Sequence, residues 1–192
     1  MPKTQKQILI RKLLHLSMLV PLAGYWYVYT YISTEAAIYV LLGVLLVGLG
    51  YEFIRLETPI QLPFSTYTKQ RETKYHVDGI NLLLSIILLH AIFNPLVALS
   101  VSLVSILGDV VSALGRLYGR LSLGPHVFQH TEGVILAFLV DFLIFFFILG
   151  PVWFIGILAA IAVIIENILT TFDDNLVVPI VVGVLAQLMI LL

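Results

Sequence analysis

Seven runs of apolar residues divide the chain, and shorter polar segments separate them. A helix that crosses the hydrocarbon core of a bilayer needs about 20 mostly apolar residues, so each run is a candidate span. The third run is short and would need local thinning of the bilayer or protein neighbours. The runs extend from about Leu13 to Ile32, Ala36 to Ile54, Gly79 to Phe93, Leu96 to Gly115, Gly133 to Leu149, Val152 to Leu169 and Leu176 to Leu192.

Short turn and capping signals mark the connections between these runs. Ser33-Thr34-Glu35 is a capping signal that opens the second helix. Asn94-Pro95 and Gly150-Pro151 are tight turn signals between adjacent spans. Since the chain also lacks a linker, a low-complexity tract and a convincing repeat, we predict one all-α, polytopic membrane helical bundle of about seven transmembrane helices, forming a single domain over residues 1–192.

The basic residues predict the orientation of this bundle. All ten lie in the amino-terminal tail, the second loop or the fourth loop. They are Lys3, Lys6, Arg11, Lys12, Arg55, Lys69, Arg71, Lys74, Arg116 and Arg120. Because positive charge stays on the cytoplasmic side during insertion, we expect a cytoplasmic amino terminus and a carboxyl terminus outside. Most carboxylates gather on the same side, which predicts a functional site facing the cytoplasm.

Composition narrows the class of protein. The chain is 60% hydrophobic and only 11% charged, so lipid is the expected solvent for most of it. A net charge of -1, with basic residues beside the spans, argues against a nucleic-acid binder. The absence of cysteine excludes disulfides, thiolate metal sites and a cysteine nucleophile. The first run is as long as a span and lacks a small-residue cleavage motif, so we expect no cleavable signal peptide.

A polar stripe on the fourth predicted span is the first candidate for chemistry. Its members are three or four residues apart and share one helix face. They are Ser102, Ser105, Asp109, Ser112 and Arg116. Close helix packing would explain the serines and nearby glycines, but a carboxylate in a membrane is costly without a partner or a cation. Asp109 is therefore a functional candidate.

The end of the sixth span carries a second acidic group. Glu166 and Asp173 or Asp174 can share a face if the helix continues. A solvated helix end would explain them, but acids at a helix carboxyl terminus oppose the macrodipole. We expect a positive group to compensate, and Mg²⁺ fits because it takes one or two carboxylates together with waters and substrate phosphates.

The second and fourth loops hold further candidates. The segment from Arg55 to Asp78 is either an interfacial loop with aromatic anchors or a flap over a phosphate-bearing ligand. Glu132 can cap the helix that follows it, which would suffice as its role. Arg116 and Arg120, together with Arg11 and Lys12, could hold a polyphosphate through charge-assisted hydrogen bonds.

Three other charged side chains are expected to have structural roles. Asp141 lies in the middle of the fifth span and, by this interpretation, far from the other acids. We expect it to make a buried hydrogen bond with a serine or with His90. Glu52 and Arg55 are three residues apart and are expected to form an interfacial ion pair.

Several short motifs occur in a recognisable order over nearly the whole chain. They are Arg11-Lys12-Leu13-Leu14-His15, then Gly108-Asp109 with Ala113, Gly115 and Gly119, then Glu132-Gly133, then Glu166 followed by Asp173-Asp174-Asn175-Leu176 and Pro179. In these motifs the chain resembles the membrane family of CTP-dependent lipid kinases, which includes dolichol kinase, phytol and farnesol kinases and the CTP-using diacylglycerol kinase. That family usually has a Lys shortly before the Glu-Gly pair. Here the region is Pro125 to Thr131, so the expected phosphate contact would come from His126, His130 or a neighbouring Arg.

The resemblance implies transfer of the terminal phosphoryl group of CTP to a long-chain isoprenoid alcohol, with Mg²⁺ as cofactor. It implies a multi-pass protein of a prokaryotic plasma membrane or of the endoplasmic reticulum, with its active site on the cytoplasmic side. The implied roles are catalysis by Asp109, Glu132 and Glu166, nucleotide binding by Arg11, Lys12, Arg116, Arg120 and His130, and metal binding by Asp109, Asp173 and Asp174.

Three other functions stay open at this point. A CTP-dependent cytidylyltransferase would make a CDP-lipid from the same nucleotide, although the Lys-Asp pair and Pro-Gly-His-Gly stretch associated with such enzymes are absent. A small transporter or a non-catalytic membrane scaffold would also fit the predicted spans. The identity of the lipid alcohol is open among dolichol, shorter polyprenols, geranylgeraniol, phytol and diacylglycerol.

Overall fold

The computed structural model describes residues 3–58, 60, 78–120, 131–168 and 173–191. These residues form eight α-helices, and the described part of the chain contains no strand, which confirms the all-α prediction. The helices are α1 (Lys3–Leu16), α2 (Leu19–Tyr31), α3 (Thr34–Glu57), α4 (Asp78–Ile92), α5 (Pro95–Tyr118), α6 (Thr131–Leu149), α7 (Ile155–Ile168) and α8 (Asp174–Leu191). His126, His130 and most of the segment from Arg55 to Asp78 lie outside the described residues.

Several helices are long and apolar enough to cross a membrane. Five stretches of the described chain meet this condition, namely Gln7–Tyr31, Thr34–Glu57, Pro95–Gly115, Thr131–Leu149 and Asp174–Leu191. Two further apolar helices are shorter, Gly79–Ile92 and Ile155–Asn167. Many large apolar side chains are exposed on these helices, as expected where lipid is the solvent. The structure is thus compatible with a multi-pass membrane protein.

The predicted first span lies within one apolar helical stretch, Gln7–Tyr31, which contains a short turn. The helix begins at Lys3, well before the apolar run, and a turn at Ser17 and Met18 separates α1 from α2. Ser17 Oγ donates a hydrogen bond to the carbonyl oxygen of Leu14 at 2.6 Å. Hydropathy alone did not indicate α1, because its first half is mostly polar.

The chain divides into two compact units, Met1–Ile87 and Leu88–Leu192, with the boundary inside α4. In the first unit α2 packs against α3 around buried Leu22, Tyr25 and Leu41. The capping prediction for α3 is confirmed, since Ser33 Oγ accepts a hydrogen bond from the Ala36 N–H at 3.1 Å. The prediction of a single domain stays a prediction.

In the second unit α5, α6, α7 and α8 form a closed ring of helix contacts. Helix α5 packs against α6 and α8, and α7 packs against the same two helices. The core between them is apolar, with Val97, Val101, Phe145, Leu158 and Val182 all buried. Four helices therefore face a common interior, and any polar group that they share must lie there.

The two predicted tight turns precede α5 and α7. Asn94 caps α5 by accepting a hydrogen bond from the Leu96 N–H at 3.0 Å, and Pro95 is the first residue of that helix. The Asn94 N–H donates to Gln187 Oε1 at 2.9 Å, which ties this turn to α8. Gly150 has φ +87, a left-handed conformation that favours glycine.

Helices α5 and α6 touch through their backbones at Gly115 and Gly133. A Cβ on Gly115 would lie 2.0 Å from the Gly133 Cα, which no side chain can tolerate. A Cβ on Gly133 would lie 3.0 Å from the Gly115 Cα. The glycines of the fourth predicted span thus serve close helix packing, and this contact fixes the register of α5 on α6.

Candidate functional site

A small cavity lies between the four helices of the second unit, and each helix contributes one carboxyl side chain to its wall. These are Asp109 from α5, Asp141 from α6, Glu166 from α7 and Asp174 from α8. The cavity volume is about 20 Å³, enough for a water molecule or a small ion, since one water needs about 10–15 Å³ by this measure. The remaining lining residues are Val104, Ser105, Ala162, Asn175, Val178 and Pro179.

The polar stripe on α5 faces the helix bundle. Ser102 and Ser112 are buried, as the stripe predicts, and the half-buried Ser105 and Asp109 line the cavity. The Ser105 hydroxyl donates to the carbonyl oxygen of Val101 at 2.8 Å, so its proton is used within its own helix. Asp109 therefore brings the ionisable group of the stripe to the cavity. For Arg116, the last member of the stripe, the structure describes the backbone and not the side chain.

Asp141 is the residue that the sequence interpretation misplaced. We predicted that it lies far from the other acids, and this is wrong, because Asp141 shares the cavity with Asp109 and Glu166. Its side chain is 2% exposed, and its Oδ1 has no hydrogen-bond partner in the described structure. The expected hydrogen bond to a serine or to His90 does not satisfy that oxygen; instead, His90 Nε2 lies 3.5 Å from Ser102 Oγ.

The glycine contact between α5 and α6 explains how Asp141 reaches the cavity. Gly108 precedes Gly115 by seven residues and Asp141 follows Gly133 by eight, so both lie about 10–12 Å from the contact at 1.5 Å per residue. Consecutive helices that run in opposite directions place these positions at the same level. A Cβ on Gly108 would lie 2.6 Å from Asp141 Oδ1, so the missing side chain makes room for the carboxylate. The sequence signal for this register was the set of glycines at 108, 115 and 133.

Glu166 lies in the last turn of α7 and is half-buried. It lines the same cavity as Asp141. Two carboxylates in a poorly solvated site repel each other, and either a proton on one of them or a cation between them relieves this repulsion. Glu166 also lies at the helix end where the macrodipole is unfavourable for a negative charge.

Asp173 and Asp174 belong to the start of α8 rather than to the end of α7. Helix α7 ends at Ile168 and α8 begins at Asp174, so the prediction that these acids oppose a macrodipole is wrong. At an amino terminus their charge is favourable. The Asn175 N–H donates to Asp173 Oδ1 and to Asp174 Oδ1, each at 3.1 Å. Asp174 lines the cavity, whereas Asp173 is absent from its wall as far as the chain is described.

Glu132 connects the start of α6 to the residue that follows α5. It lies in the first turn of α6, and its Oε1 accepts a hydrogen bond at 2.9 Å from the N–H of Arg120, which follows the end of α5. This bond joins the two ends of the connection between α5 and α6. Within the described chain Glu132 does not line the acidic cavity, so its predicted catalytic role stays a prediction.

The predicted nucleotide-binding residues are distributed over both units. Arg11 and Lys12 lie on α1 in the first unit and are half-buried. Arg120 is exposed just beyond α5, and Arg116 belongs to the last turn of that helix. His130 is outside the described residues. Their binding of a nucleotide stays a prediction.

A metal ion held directly by a protein needs several ligand side chains close together. Within residues 3–58, 78–120, 131–168 and 173–191, no three or more His, Cys, Asp or Glu side chains form a group that could hold a metal ion directly. A cation that keeps most of its water needs fewer direct contacts. Mg²⁺ is of this kind, since it commonly takes one or two carboxylates and completes its shell with water and phosphate oxygens.

Comparisons with protein-family models, with curated proteins and with solved structures found no match for this chain.

Proposed function

We propose that this chain is an integral membrane phosphotransferase that moves the terminal phosphoryl group of CTP to a long-chain isoprenoid alcohol. The observation that carries the proposal is the cavity to which four helices each contribute one carboxyl group. Phosphoryl transfer depends on positioning and charge neutralisation more than on covalent chemistry with the protein. Acids that can hold a hydrated Mg²⁺ beside a membrane surface are suited to that task. We propose CTP and a lipid alcohol as the substrates because the short motifs resemble, in their order, those of CTP-dependent lipid kinases.

In the proposed reaction the hydroxyl oxygen of the alcohol attacks the γ-phosphorus of CTP. The bond between that phosphorus and the oxygen bridging to the β-phosphorus breaks, and CDP leaves. The hydroxyl proton passes to a carboxylate, and Glu166 is better placed than Glu132 because it lines the cavity. Asp109 and Asp174 would hold Mg²⁺, which when bound neutralises charge on the phosphates.

We also propose that α2 to α8 cross the membrane, with the amino terminus in the cytoplasm and the carboxyl terminus outside. Helices α4 and α7 have 15 and 14 residues, about 22 Å at 1.5 Å per residue against a hydrocarbon core of about 30 Å. They would span only where the bilayer is thin or where other helices surround them. The location of all basic residues in the tail and the even-numbered loops supports this orientation.

The membrane would be a plasma membrane or that of the endoplasmic reticulum. The two substrates would meet at the cytoplasmic ends of the spans. The hydroxyl group of an isoprenoid alcohol sits near the headgroup plane while its chain remains in lipid. A nucleotide approaches from water. Arg116 and Arg120 would receive its phosphates in this proposal.

The test is an incubation of the purified protein in liposomes with Mg²⁺, γ-labelled nucleotides and a panel of lipid alcohols. We expect label from CTP on an isoprenoid alcohol and release of CDP. Asp109→Asn is expected to lower the rate at least about a hundredfold, the scale for loss of a charge that stabilises a transition state, while the protein stays folded in the membrane. Glu35→Gln, a change of an exposed acid on α3, should retain the parent rate.

Three outcomes would contradict the proposal in different ways. Pyrophosphate and a CDP-lipid as products would indicate a cytidylyltransferase. Solute flux that needs neither CTP nor Mg²⁺, with no lipid labelled, would indicate a transporter. Full activity of Asp109→Asn would remove the predicted role of this carboxylate.

A further inference from the structure

Helix α1 concentrates positive charge at the start of an apolar helical stretch. Its basic residues are Lys3, Lys6, Arg11 and Lys12, and residues 1–34 contain no Asp or Glu. The second half of α1 belongs to the stretch Gln7–Tyr31, which is long and apolar enough to cross a membrane. A formal charge of +4 therefore lies where that stretch begins.

The last turn of α1 has apolar side chains outside and a polar one inside. Leu13 is 56% exposed and Leu14 is 36% exposed, whereas His15 is only 5% exposed. This arrangement is expected where hydrocarbon surrounds a helix, because polar groups then face the protein. Arg11 and Lys12, which directly precede these leucines, are half-buried. The end of α1 is thus suited to contact with lipid chains, and the basic residues follow at the next level.

The length of the stretch places these basic residues at the level of lipid phosphates. Lys12 and Tyr31 are 19 residues apart, about 28 Å at 1.5 Å per residue and close to the thickness of a hydrocarbon core. Tyr31 is 73% exposed, as expected for an aromatic side chain at a membrane interface. With Tyr31 at one interface, Arg11 and Lys12 lie at the other. Lys6 lies about 9 Å farther along the helix, within a Debye length of that surface.

We propose that α1 binds the headgroups of anionic phospholipids in the surrounding leaflet. Arg11 and Lys12 donate hydrogen bonds to lipid phosphate, and Lys3 and Lys6 attract further anionic headgroups. The ligand is a lipid rather than a free polyphosphate, because the exposed leucines that follow Lys12 offer a contact for acyl chains. This binding requires neither the proposed kinase activity nor a particular orientation in the membrane.

The test uses a tryptophan that reports which lipid touches α1. Leu13→Trp introduces it at an exposed position of the full chain, together with Trp26→Phe and Trp153→Phe, and the protein is reconstituted in vesicles. Phospholipids with brominated acyl chains quench tryptophan on contact. Mixtures of phosphatidylglycerol and phosphatidylcholine, one of them brominated, then give a relative binding constant. We expect phosphatidylglycerol to be preferred about threefold or more at low salt, since one basic residue near an anionic surface supplies roughly fivefold.

A second reporter position supplies the matched control. Leu46 lies in the middle of α3, is 70% exposed and has no basic residue within eight positions of it in the chain. Leu46→Trp in the same background should report no preference between the two lipids. High salt should weaken the preference at Leu13→Trp, because it screens exposed charges, and leave the Leu46→Trp reading unchanged.

Charge removal tests which residues cause the preference. Changing Lys3, Lys6, Arg11 and Lys12 together to Gln should abolish it. Because Arg11 and Lys12 also have interactions within the protein, a second variant carries only Lys3→Gln and Lys6→Gln. It should keep the melting temperature of the parent and lower the preference about twofold or more. Exchanging the two inner residues, Arg11→Lys with Lys12→Arg, keeps the charge and should keep the preference.

The assignment would be overturned if Leu13→Trp reports no preference for phosphatidylglycerol in the otherwise unchanged background. A preference that survives removal of all four charges would overturn it as well, since it would not come from α1. No lipid preference together with weaker binding of CTP to Arg11→Gln would assign this residue to a nucleotide instead. The quenching assay contains no nucleotide, so the proposed kinase activity can fail without affecting its result.

Discussion

Glu52 and Arg55 form an ion pair one turn apart near the end of α3. Arg55 Nε donates to the two carboxylate oxygens of Glu52 at 3.0 and 3.1 Å, and Glu52 is only 2% exposed. Losing one partner of a buried pair leaves the other charge uncompensated and costs about 3–5 kcal/mol. We therefore expect Arg55→Met to lower the free energy of unfolding by about 3 kcal/mol, measured by denaturant titration in detergent micelles.

A double variant distinguishes the pair from simple packing by Arg55. Glu52→Gln combined with Arg55→Met buries no net charge and should recover most of the lost stability. Glu57→Gln, an exposed acid on the same helix, should change stability by no more than about 0.5 kcal/mol. If the double variant is as unstable as Arg55→Met alone, the uncompensated charge of Glu52 is not the cause.

The acids of the cavity differ in how far the sequence could identify them. Asp109 could be identified because a carboxylate is costly in a membrane and its polar neighbours lie on the same helix. Their spacing of three or four residues can be read directly from the sequence. Burying a carboxylate is equally costly at Asp141, but the acids near it belong to three other helices. Which residue of α5 lies beside Asp141 depends on the register of α5 on α6 at Gly115 and Gly133. The sequence predicted that Glu132 could cap α6, whereas the contact that the structure shows is with the Arg120 N–H beyond the end of α5. The chain spacing gave no sign of that partner.

The contact between α5 and α6 is the element on which the cavity register depends. Since a Cβ on Gly115 would lie 2.0 Å from the Gly133 Cα, Gly115→Ala forces two backbones apart. Overpacking of this kind typically costs about 1–3 kcal/mol, and backbone contacts lie at the upper end. We expect Gly115→Ala to lower the melting temperature in micelles, because the added methyl group forces α5 and α6 apart at their closest contact.

Gly43→Ala on α3 is the control for this change. Its new methyl group has no neighbour within 4 Å, and alanine is favoured over glycine in a helix by about 1 kcal/mol. The control should be as stable as the parent or slightly more so. A Gly115→Ala protein with the melting temperature of this control would mean that α5 and α6 can separate there without cost.

The elements themselves were largely predictable, and their boundaries less so. The first apolar run contains the end of α1 and all of α2, and the other six correspond to α3 to α8, because length and hydropathy decide where a helix can replace water by lipid. Hydropathy did not predict the start of α1, because the first half of that helix is polar. The acids at 173 and 174 were assigned to the wrong helix because a polar run can close one helix or open the next. Hydropathy does not distinguish these two cases.

At the scale of the whole molecule, the distribution of charge carries most of the functional argument. The ten basic residues and most acids fall in segments that would share one membrane face. Glu166 and Asp174 lie at ends of α7 and α8 that are adjacent in the chain, and Asp109 lies toward the corresponding end of α5. A cation site at that level would be reached from the side that carries the positive charge. The proposed kinase therefore requires that side to be the cytoplasm, where CTP is.

Sidedness can be tested without background labelling because the chain contains no cysteine. Thr34→Cys places an exposed thiol at the start of α3, and Glu57→Cys places one at its other end. In intact cells we expect a membrane-impermeant maleimide to label Thr34→Cys at once and Glu57→Cys only after permeabilisation, because Arg55 and the other basic residues hold that end inside. The parent protein should take up no label. Immediate labelling of Glu57→Cys with protection of Thr34→Cys would reverse the orientation, and the acidic cavity would then open away from the nucleotide that it is proposed to use.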